Sequence, residues 1–293
     1  MATMPETSGS DTSGSGATGA EGGVFSGPGW PRMEPRLIGN PDPLLLVRGV
    51  SKWFGGVQAV QDVSLTVERG ESVGLVGPNG AGKTTLFNCV CGQLQHESGS
   101  IEFDGVELDR LPTFKRARLG IGRTYQRVEV FSDMTVYDHL MVSERARMGT
   151  GRMWKDLLNL SSPTPEERSR VGAVLDLVGL ADKADVPVSA LGLGMCRLVE
   201  LARALVGEPI LLMADEPSSG LDVHETRELA SVLRTLQHER GMAVLLVEHD
   251  LGMVGEVVDR AVVMDLGQVI ADGPFDTVMA NPEVRNAYLG VSA

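Results

Sequence analysis

Residues 77–84 read Gly-Pro-Asn-Gly-Ala-Gly-Lys-Thr and match the pattern G-x-x-x-x-G-K-[ST] of a phosphate-binding loop. The glycines let backbone N–H groups close around phosphate oxygens, the Lys83 ammonium neutralises them, and the Thr84 hydroxyl can ligate Mg²⁺. An apolar run at 72–76 precedes the loop, and Thr85 opens the segment that follows it. This order predicts a strand, a loop and a helix whose N-terminus faces the phosphates, with ATP and Mg²⁺ as ligands.

A second acidic element lies far downstream, where residues 210–216 read Ile-Leu-Leu-Met-Ala-Asp-Glu. Its apolar part predicts a buried strand. Asp215, at the end of that strand, is placed to hold Mg²⁺ through water, and Glu216 can polarise an attacking water. A structural alternative is that the acidic pair caps a helix after Pro217. The phosphate loop upstream favours ATP hydrolysis.

The other apolar patterns indicate an α/β chain. Apolar and alternating runs between residues 44 and 67 predict an antiparallel β layer. Between 136 and 205 the apolar spacing becomes helical. One face of that region carries Val171, Val174, Leu175 and Val178. The continuous apolar runs at 210–214 and 243–247 are typical of strands buried on both faces of a parallel sheet.

Length, charge and cysteine content limit the class of protein. A chain of 293 residues can bury the core of one large domain or two unequal subdomains. The net charge of -13 argues against a nucleic-acid partner, because neutralising nucleic-acid phosphates requires clustered Lys and Arg. The three cysteines, Cys89, Cys91 and Cys196, show no metal-ligand spacing and indicate a reducing cytoplasm.

The sequence contains no run of about 18 apolar residues, so it predicts no membrane-spanning helix, and its N-terminus does not resemble a signal peptide. Residues 1–43 form a stretch rich in Gly, Ser, Thr and Pro. This composition predicts a disordered tail, because it buries too little apolar surface to offset the entropy of ordering. Docking of a partner on the tail is the functional alternative.

Residues 191–205 form a Gly-containing turn that opens an amphipathic helix just upstream of the strand ending at Asp215. Alone, such a pattern is typical of a Gly-capped core helix. In this position, together with the motifs above, it makes residues 44–293 resemble the nucleotide-binding subunit of ABC transporters. The resemblance implies an α/β P-loop NTPase of the ABC type, with a mixed or parallel sheet core, an antiparallel β subdomain and a helical subdomain.

The resemblance also implies a division of the chain. Residues 1–43 form the tail, and residues 44–293 form one nucleotide-binding domain. Within that domain the core spans 44–127 and 206–293, and the helical subdomain spans 128–205.

The family motifs assign a nucleotide site residue by residue. The residues assigned to ATP binding are Phe54, Gly77, Pro78, Asn79, Gly80, Ala81, Gly82, Lys83, Thr84, Thr85, Gly192, Gly194 and Asp222. Those assigned to catalysis are Gln126, Glu216 and His249, and those assigned to Mg²⁺ are Thr84, Gln126 and Asp215. Phe54 falls at the adenine-stacking position, Gln126 in the Q-loop and His249 at the switch histidine. For Phe54 and His249 alone, core packing or a solvated turn is the structural alternative.

The resemblance implies an ATP sandwich, in which two domains associate head to tail. Each ATP then lies between residues 77–84 of one chain and residues 191–195 of the other, so a lone domain hydrolyses ATP poorly. This sequence departs from the family pattern by carrying Gly192 in place of a serine and Met195 in place of a glutamine. The change at 192 removes a hydroxyl donor to the opposite γ-phosphate, which leaves open an asymmetric dimer whose other site hydrolyses more ATP.

Segments 120–126, 130–142 and 281–290 look like those of one ATPase of branched-chain amino acid importers. Related urea, amide and lipopolysaccharide-export ATPases share the C-terminal ending. The implied partners are a second ABC ATPase subunit, either a sister chain or a second copy, two membrane permeases and, indirectly, an extracytoplasmic solute-binding protein. The implied location is the cytoplasmic face of the membrane, where the chain is bound through the permeases.

Two other classes of protein are weaker alternatives. A soluble ABC-type ATPase that acts on ribosomes or DNA usually carries two such domains or a long coiled-coil insertion. This chain has one phosphate loop, no heptad run and an acidic composition. A P-loop kinase would need an acceptor-site signature, and the segment 191–205 argues against it. The favoured interpretation is ATP-powered transport, and no residue in the chain identifies the solute.

Overall fold

The computed structural model describes residues 43–124, 133–148 and 162–289. Within these ranges the chain begins with an antiparallel sheet in the order β2-β1-β4-β5. Its strands are β1 (Leu45–Phe54), β2 (Val57–Val67), β4 (Ser98–Phe103) and β5 (Val106–Glu107). The alternate residues Val63, Leu65 and Val67 of β2 are buried, as the alternating pattern predicts for a half-buried strand.

A second, mostly parallel sheet follows the order β10-β9-β3-β8-β7-β6 within the described ranges. Its strands are β3 (Ser72–Val76), β6 (Ile121–Arg123), β7 (Leu211–Asp215), β8 (Ala243–Val247), β9 (Arg260–Asp265) and β10 (Gln268–Pro274). Among the described strands of this sheet, only the edge strand β10 pairs antiparallel. All residues of β3, β7 and β8 are buried, and for β7 and β8 this confirms the prediction from their continuous apolar runs.

The described helices surround this sheet. They are α1 (Lys83–Cys91), α2 (Thr113–Leu119), α3 (Val136–Met148), α4 (Pro165–Leu177), α5 (Leu193–Leu205), α6 (Val223–Arg240), α7 (Leu251–Val257), α8 (Phe275–Ala280) and α9 (Pro282–Leu289). Helices α3, α4 and α5 pack on one another. The apolar face predicted at 171–178 is buried in this group. None of the described helices is long and apolar enough to cross a membrane.

The core consists of two hydrophobic clusters, one on each face of the parallel sheet. Leu212 and Ala214 of β7 belong to the cluster that contains the helices α3, α4 and α5. Leu211 and Met213 belong to the cluster under α1 and the antiparallel sheet. Because successive side chains of a strand point to opposite faces, one apolar strand supplies both clusters. The predicted fold class, an α/β core with an antiparallel β layer and a helical region, is confirmed.

Candidate functional site

The phosphate loop connects the carboxyl end of β3 to the first turn of α1. Gly77 has φ 142°, and a Cβ there would lie 2.0 Å from the Met264 carbonyl oxygen. Gly82 has φ 98°, and its Cβ would lie 2.2 Å from the Ala59 carbonyl oxygen. Only glycine fits these two positions. Gly82 caps α1 without a side-chain hydrogen bond, so the first N–H groups of the helix are left for an anion.

Lys83 is the first residue of α1, directly after the loop, and is 6% exposed. Its ammonium donates hydrogen bonds to the carbonyl oxygens of Gly77, at 2.7 Å, and Pro78, at 3.0 Å. Burial lowers the pKa of Lys83, and the carboxylates of Glu216 and Asp215 oppose that shift. A buried ammonium with few solvent contacts can take phosphate oxygens as new acceptors at little desolvation cost.

Asp215 and Glu216 lie at the carboxyl end of β7. Asp215 is 2% exposed, and its Oδ2 lies 3.7 Å from a guanidinium nitrogen of Arg123. Burial raises the pKa of the Asp215 carboxyl, and Arg123 opposes the rise. Glu216 is partly buried in the left-handed region at φ 46°, and its N–H donates to the Val247 carbonyl at 2.8 Å. The alternative that this pair caps the next helix is wrong, because Asp222 is the N-cap of α6.

The donor set fits Mg²⁺. The Oδ1 atom of Asp215 is buried and has no hydrogen-bond partner among the described residues, and the Thr84 side chain is exposed beside the loop. Both are oxygen donors of the kind that Mg²⁺ prefers. The described ranges hold no cluster of three His, Cys, Asp or Glu side chains that could bind a metal. In nucleotide sites Mg²⁺ is usually bound by one or two protein groups together with water and substrate phosphates.

His249 follows the end of β8, and its side chain is 56% exposed. Because β7 and β8 are parallel neighbours with Asp215 opposite Val247, His249 reaches the same sheet edge as Glu216. The phosphate loop meets this edge as well, since β3 pairs with β8. Ligands of open α/β sheets bind at the carboxyl ends of the strands.

The glycine-containing turn at 191–194 precedes α5, with Gly192 as its N-cap and no side-chain cap hydrogen bond. Gly194 is buried against Glu225, whose Oε1 would lie 2.5 Å from a Cβ at 194. Asp222 accepts hydrogen bonds from the N–H groups of His224 and Glu225 and forms a capping box with Glu225. The glycine-containing turn at 191–194 and the start of α6 are therefore in direct contact.

The other predicted binding residues are more dispersed. Phe54 ends β1 and is 48% exposed, with the Lys52 ammonium 5.4 Å from the centre of its ring. Thr85 is partly buried in the first turn of α1. Gln126 lies outside the described residues. An exposed aromatic ring beside a cation is a suitable surface for a base to stack on.

Two charged residues at this edge were missed by sequence reasoning. Arg123 stacks over the Phe87 ring at 4.8 Å and faces Asp215, so it links β6 to α1 and β7. Glu248 is fully buried immediately after the apolar strand β8. In both cases the available signal was a charged residue at the end of an otherwise apolar strand.

Comparisons with known proteins agree with this geometry. A family model described as "ABC transporter" matches residues 60–219, and one described as "Branched-chain amino acid ATP-binding cassette transporter" matches residues 268–293. The chain is 38% identical over 251 residues to the high-affinity branched-chain amino acid transport ATP-binding protein BraF of Pseudomonas aeruginosa. It is 39% identical over 251 residues to LivG, a protein of the same description, from Escherichia coli K12. Each match covers 85% of this chain and 98% of the relative.

Among solved structures, the chain resembles the ADP conformation of MJ1267, an ATP-binding cassette of an ABC transporter. The TM-score is 0.76 with 28% sequence identity, and the match covers 85% of this chain and 99% of that one. The family match and the sequence relatives each extend over more than half of the chain. The chain therefore belongs to the family of ABC transporter ATP-binding proteins.

Proposed function

We propose that this chain hydrolyses ATP to power an ABC importer of branched-chain or related amino acids. The observation that carries the proposal is the meeting of three elements at one sheet edge. These elements are the phosphate loop after β3, the Asp215-Glu216 pair after β7 and His249 after β8. The amino acid specificity rests on the relatives, whose names describe branched-chain amino acid transport ATP-binding proteins.

The residues of the proposed site have separate roles in the reaction. The N–H groups of the phosphate loop and the Lys83 ammonium bind the phosphates, and Phe54 stacks on adenine. Thr84 and Asp215 would hold Mg²⁺, directly or through water, with Gln126 as a further ligand. When bound there, Mg²⁺ would supply positive charge that offsets the charge of the phosphates.

Glu216 and His249 act on the γ-phosphate. The Glu216 carboxylate orients the attacking water and accepts its proton, in line with the bond to the leaving ADP. The exposed His249 side chain donates a hydrogen bond to the γ-phosphate, where negative charge develops. Both groups must be held at fixed positions, because positioning contributes much of the rate enhancement in phosphoryl transfer.

The complete site requires a second ATPase subunit, either a sister chain or a second copy. Gly192, Gly194 and Asp222 of one subunit face the ATP bound by the other, and closure of the pair drives the transport cycle. The chain is bound to two permeases at the cytoplasmic face of the membrane, and a solute-binding protein delivers the amino acid from the other side. Nucleic acid is not a partner, in keeping with the net charge of -13.

The experiment is affinity purification of the tagged chain from native membranes in mild detergent, followed by mass spectrometry of the proteins that co-purify. The expected result is recovery of two multi-span permeases and a second ATPase. Uptake of radiolabelled leucine by vesicles containing that complex should then require ATP. Recovery from the soluble fraction with ribosomes or DNA would contradict the proposal.

A further inference from the structure

Glu248 is a fully buried carboxylate between two functional segments. Its Oε1 accepts hydrogen bonds from the N–H of Ser218, at 2.8 Å, and from the Ser218 hydroxyl, at 2.6 Å. Its Oε2 accepts from the N–H of His249 at 3.0 Å. Such charge-assisted bonds are short and roughly twice as strong as neutral ones.

These bonds join segments that are distant in sequence. Ser218 lies two residues after Glu216, and Glu248 directly precedes His249. The same strand end also holds the backbone of Glu216, whose N–H donates to the Val247 carbonyl at 2.8 Å. Positions 247–249 therefore have two roles. Val247 holds Glu216, which orients the water, and His249 is the residue that meets the γ-phosphate.

The turn that follows Glu216 is held from its other side as well. The N–H of Ser219 donates to the Glu216 carbonyl at 3.1 Å, and the Arg197 guanidinium of α5 donates to the Ser219 carbonyl at 3.2 Å. Glu248 thus anchors this turn to the end of β8, and Arg197 anchors it to α5.

We propose that Glu248 is a positioning residue for ATP hydrolysis, which acts by locking the Glu216 turn to the His249 backbone through its bonds to Ser218 and His249. This inference rests on the proposed function. Glu248 is not itself the base, because it is fully buried and both of its oxygens already accept hydrogen bonds. Its effect is on the relative position of two reacting groups, so it should change turnover and leave ATP binding at Lys83 intact.

The test is steady-state ATP hydrolysis by the purified complex that contains the full-length chain carrying Glu248→Gln, with nucleotide affinity measured separately by a fluorescent ATP analogue. Glutamine keeps the shape but presents one NH₂ group, so either the Ser218 side or the His249 side loses its acceptor. The expected result is a kcat lower by at least about tenfold with KM and Kd within about threefold. A wild-type kcat in the folded variant would overturn the inference.

Ser218→Ala removes one donor without disturbing the buried carboxylate, and it decides the question if the glutamine variant does not fold. It should lower kcat about threefold or more, and a kcat within about twofold of wild type would overturn the inference. The kcat of the double variant should be at most about twofold lower than that of Glu248→Gln, because both changes break the same connection. Fully multiplied losses would mean that the two residues act independently and would overturn it.

Asp259→Asn is the matched control. Its carboxylate also joins separate elements, since it accepts hydrogen bonds from the N–H of Ser72, at 3.2 Å, and from the Gln237 amide. Ser72 is the first residue of β3, so it lies at the amino end of the strand, whereas the phosphate loop follows the carboxyl end. This variant should lower the melting temperature and leave kcat unchanged. If Glu248→Gln lowers kcat only in proportion to unfolded protein, the role is purely structural and the inference fails.

Failure of the inference can be distinguished from failure of the proposed function. If wild type hydrolyses ATP and Glu216→Gln abolishes turnover while Glu248→Gln does not, only the positioning role is wrong. If the complex with the wild-type chain shows no ATPase activity, or the complex with Glu216→Gln turns over at the wild-type rate, the function and the inference both fail.

Discussion

At the scale of the residue, Glu216 has an unusual backbone conformation that a hydrogen bond holds in place. Its φ of 46° is rare for a residue with a Cβ, and the N–H bond to Val247 holds it there. Strained positions of this kind occur at functional sites, where the surroundings fix one conformation. The direction of its Cα–Cβ bond is therefore set before the nucleotide binds.

Glu216→Gln should retain ATP binding and lose turnover by about a hundredfold or more, because the amide keeps the shape but cannot accept a proton. Trapping of radiolabelled ATP and steady-state hydrolysis measure the two effects. Asp250→Asn is the control, since asparagine caps α7 as well as aspartate does and turnover should stay unchanged. Turnover at the wild-type rate would remove Glu216 from its proposed role.

Gly192 offers a gain-of-function test. The residue has φ −69° and ψ 165°, and no atom lies within 4 Å of a Cβ built there, so serine fits without strain. Gly192→Ser should raise the ATPase rate of the assembled complex by about tenfold, because it supplies a hydroxyl donor to the opposite γ-phosphate. Gly172→Ser in α4, where a Cβ also meets open space, should have no effect. No gain at 192 would mean that the helix N-terminus already suffices.

Because of Cys91, the free energy of unfolding changes with pH in the alkaline range. Burial raises the pKa of its thiol from 9.0 to about 11. The folded state then holds the proton more tightly than the unfolded state, so the stabilisation is full below pH 9 and is lost as pH rises towards 11. Between about pH 8 and 10.5, the free energy of unfolding measured in urea should fall by about 2 kcal/mol more for wild type than for Cys91→Ala. Equal losses in the two proteins would contradict this assignment.

At the scale of the element, the capping box of α4 is a local source of stability in the helical region. The Thr164 hydroxyl accepts from the Glu167 N–H at 3.2 Å, and the Glu167 carboxylate accepts from the Thr164 N–H at 2.8 Å. The helix packs on α3 and α5 through Val171, Val174 and Leu175. The cap thus supports the predicted helical subdomain and not the phosphate loop directly.

Thr164→Ala should destabilise the protein by about 1 kcal/mol and lower the melting temperature by about 2 to 4 °C. ATP affinity should stay the same, since α4 does not form the nucleotide site. Calorimetry and nucleotide titration measure these quantities. Thr164→Ser keeps the hydroxyl and serves as the control, and an unchanged melting temperature in the alanine variant would show that the cap contributes nothing.

At the scale of the whole molecule, we propose the domain division implied by the family resemblance. The tail spans 1–43, the core spans 44–127 and 206–293, and the helical subdomain spans 128–205. Two observations support these limits. Leu44 is the first core residue in the described ranges, at 1% exposure, and its carbonyl accepts the N–H of Asp104 at 2.8 Å. Helices α3, α4 and α5 pack as a group.

A chain that begins at residue 43 should keep the melting temperature of the full-length protein within about 2 °C, because the first core side chain is retained. A chain that begins at residue 48 should be strongly destabilised. It lacks Leu44, Leu45 and Val47, each at 1% exposure or less, and burial of each such side chain contributes about 1.5 to 3 kcal/mol. Thermal unfolding of both chains tests the boundary, and equal stability would contradict it.

Much of the fold and of the site could be predicted without coordinates. The phosphate loop, the Asp215-Glu216 pair and the buried strands depend on residue types at fixed spacing, and that spacing follows from local chemistry and strand geometry. The α/β class, the antiparallel layer and the helical region were predicted for the same reason, because periodic apolar patterns reflect local structure. The assigned roles of Glu216, His249 and Gln126 stay predictions, and Gln126 lies outside the described residues.

The remaining features depend on which strands are neighbours. Pairing of β7 with β8 places Asp215 opposite Val247, and this register brings Ser218 within hydrogen-bond distance of Glu248, 30 residues away in sequence. The stacking of Arg123 over Phe87 likewise arises from the meeting of β6 and α1. Neither contact could be predicted from a periodic sequence pattern, because both result from packing between segments that are distant in the sequence. Local chemistry therefore specifies the reacting groups, and the sheet register specifies the residues that hold them in position.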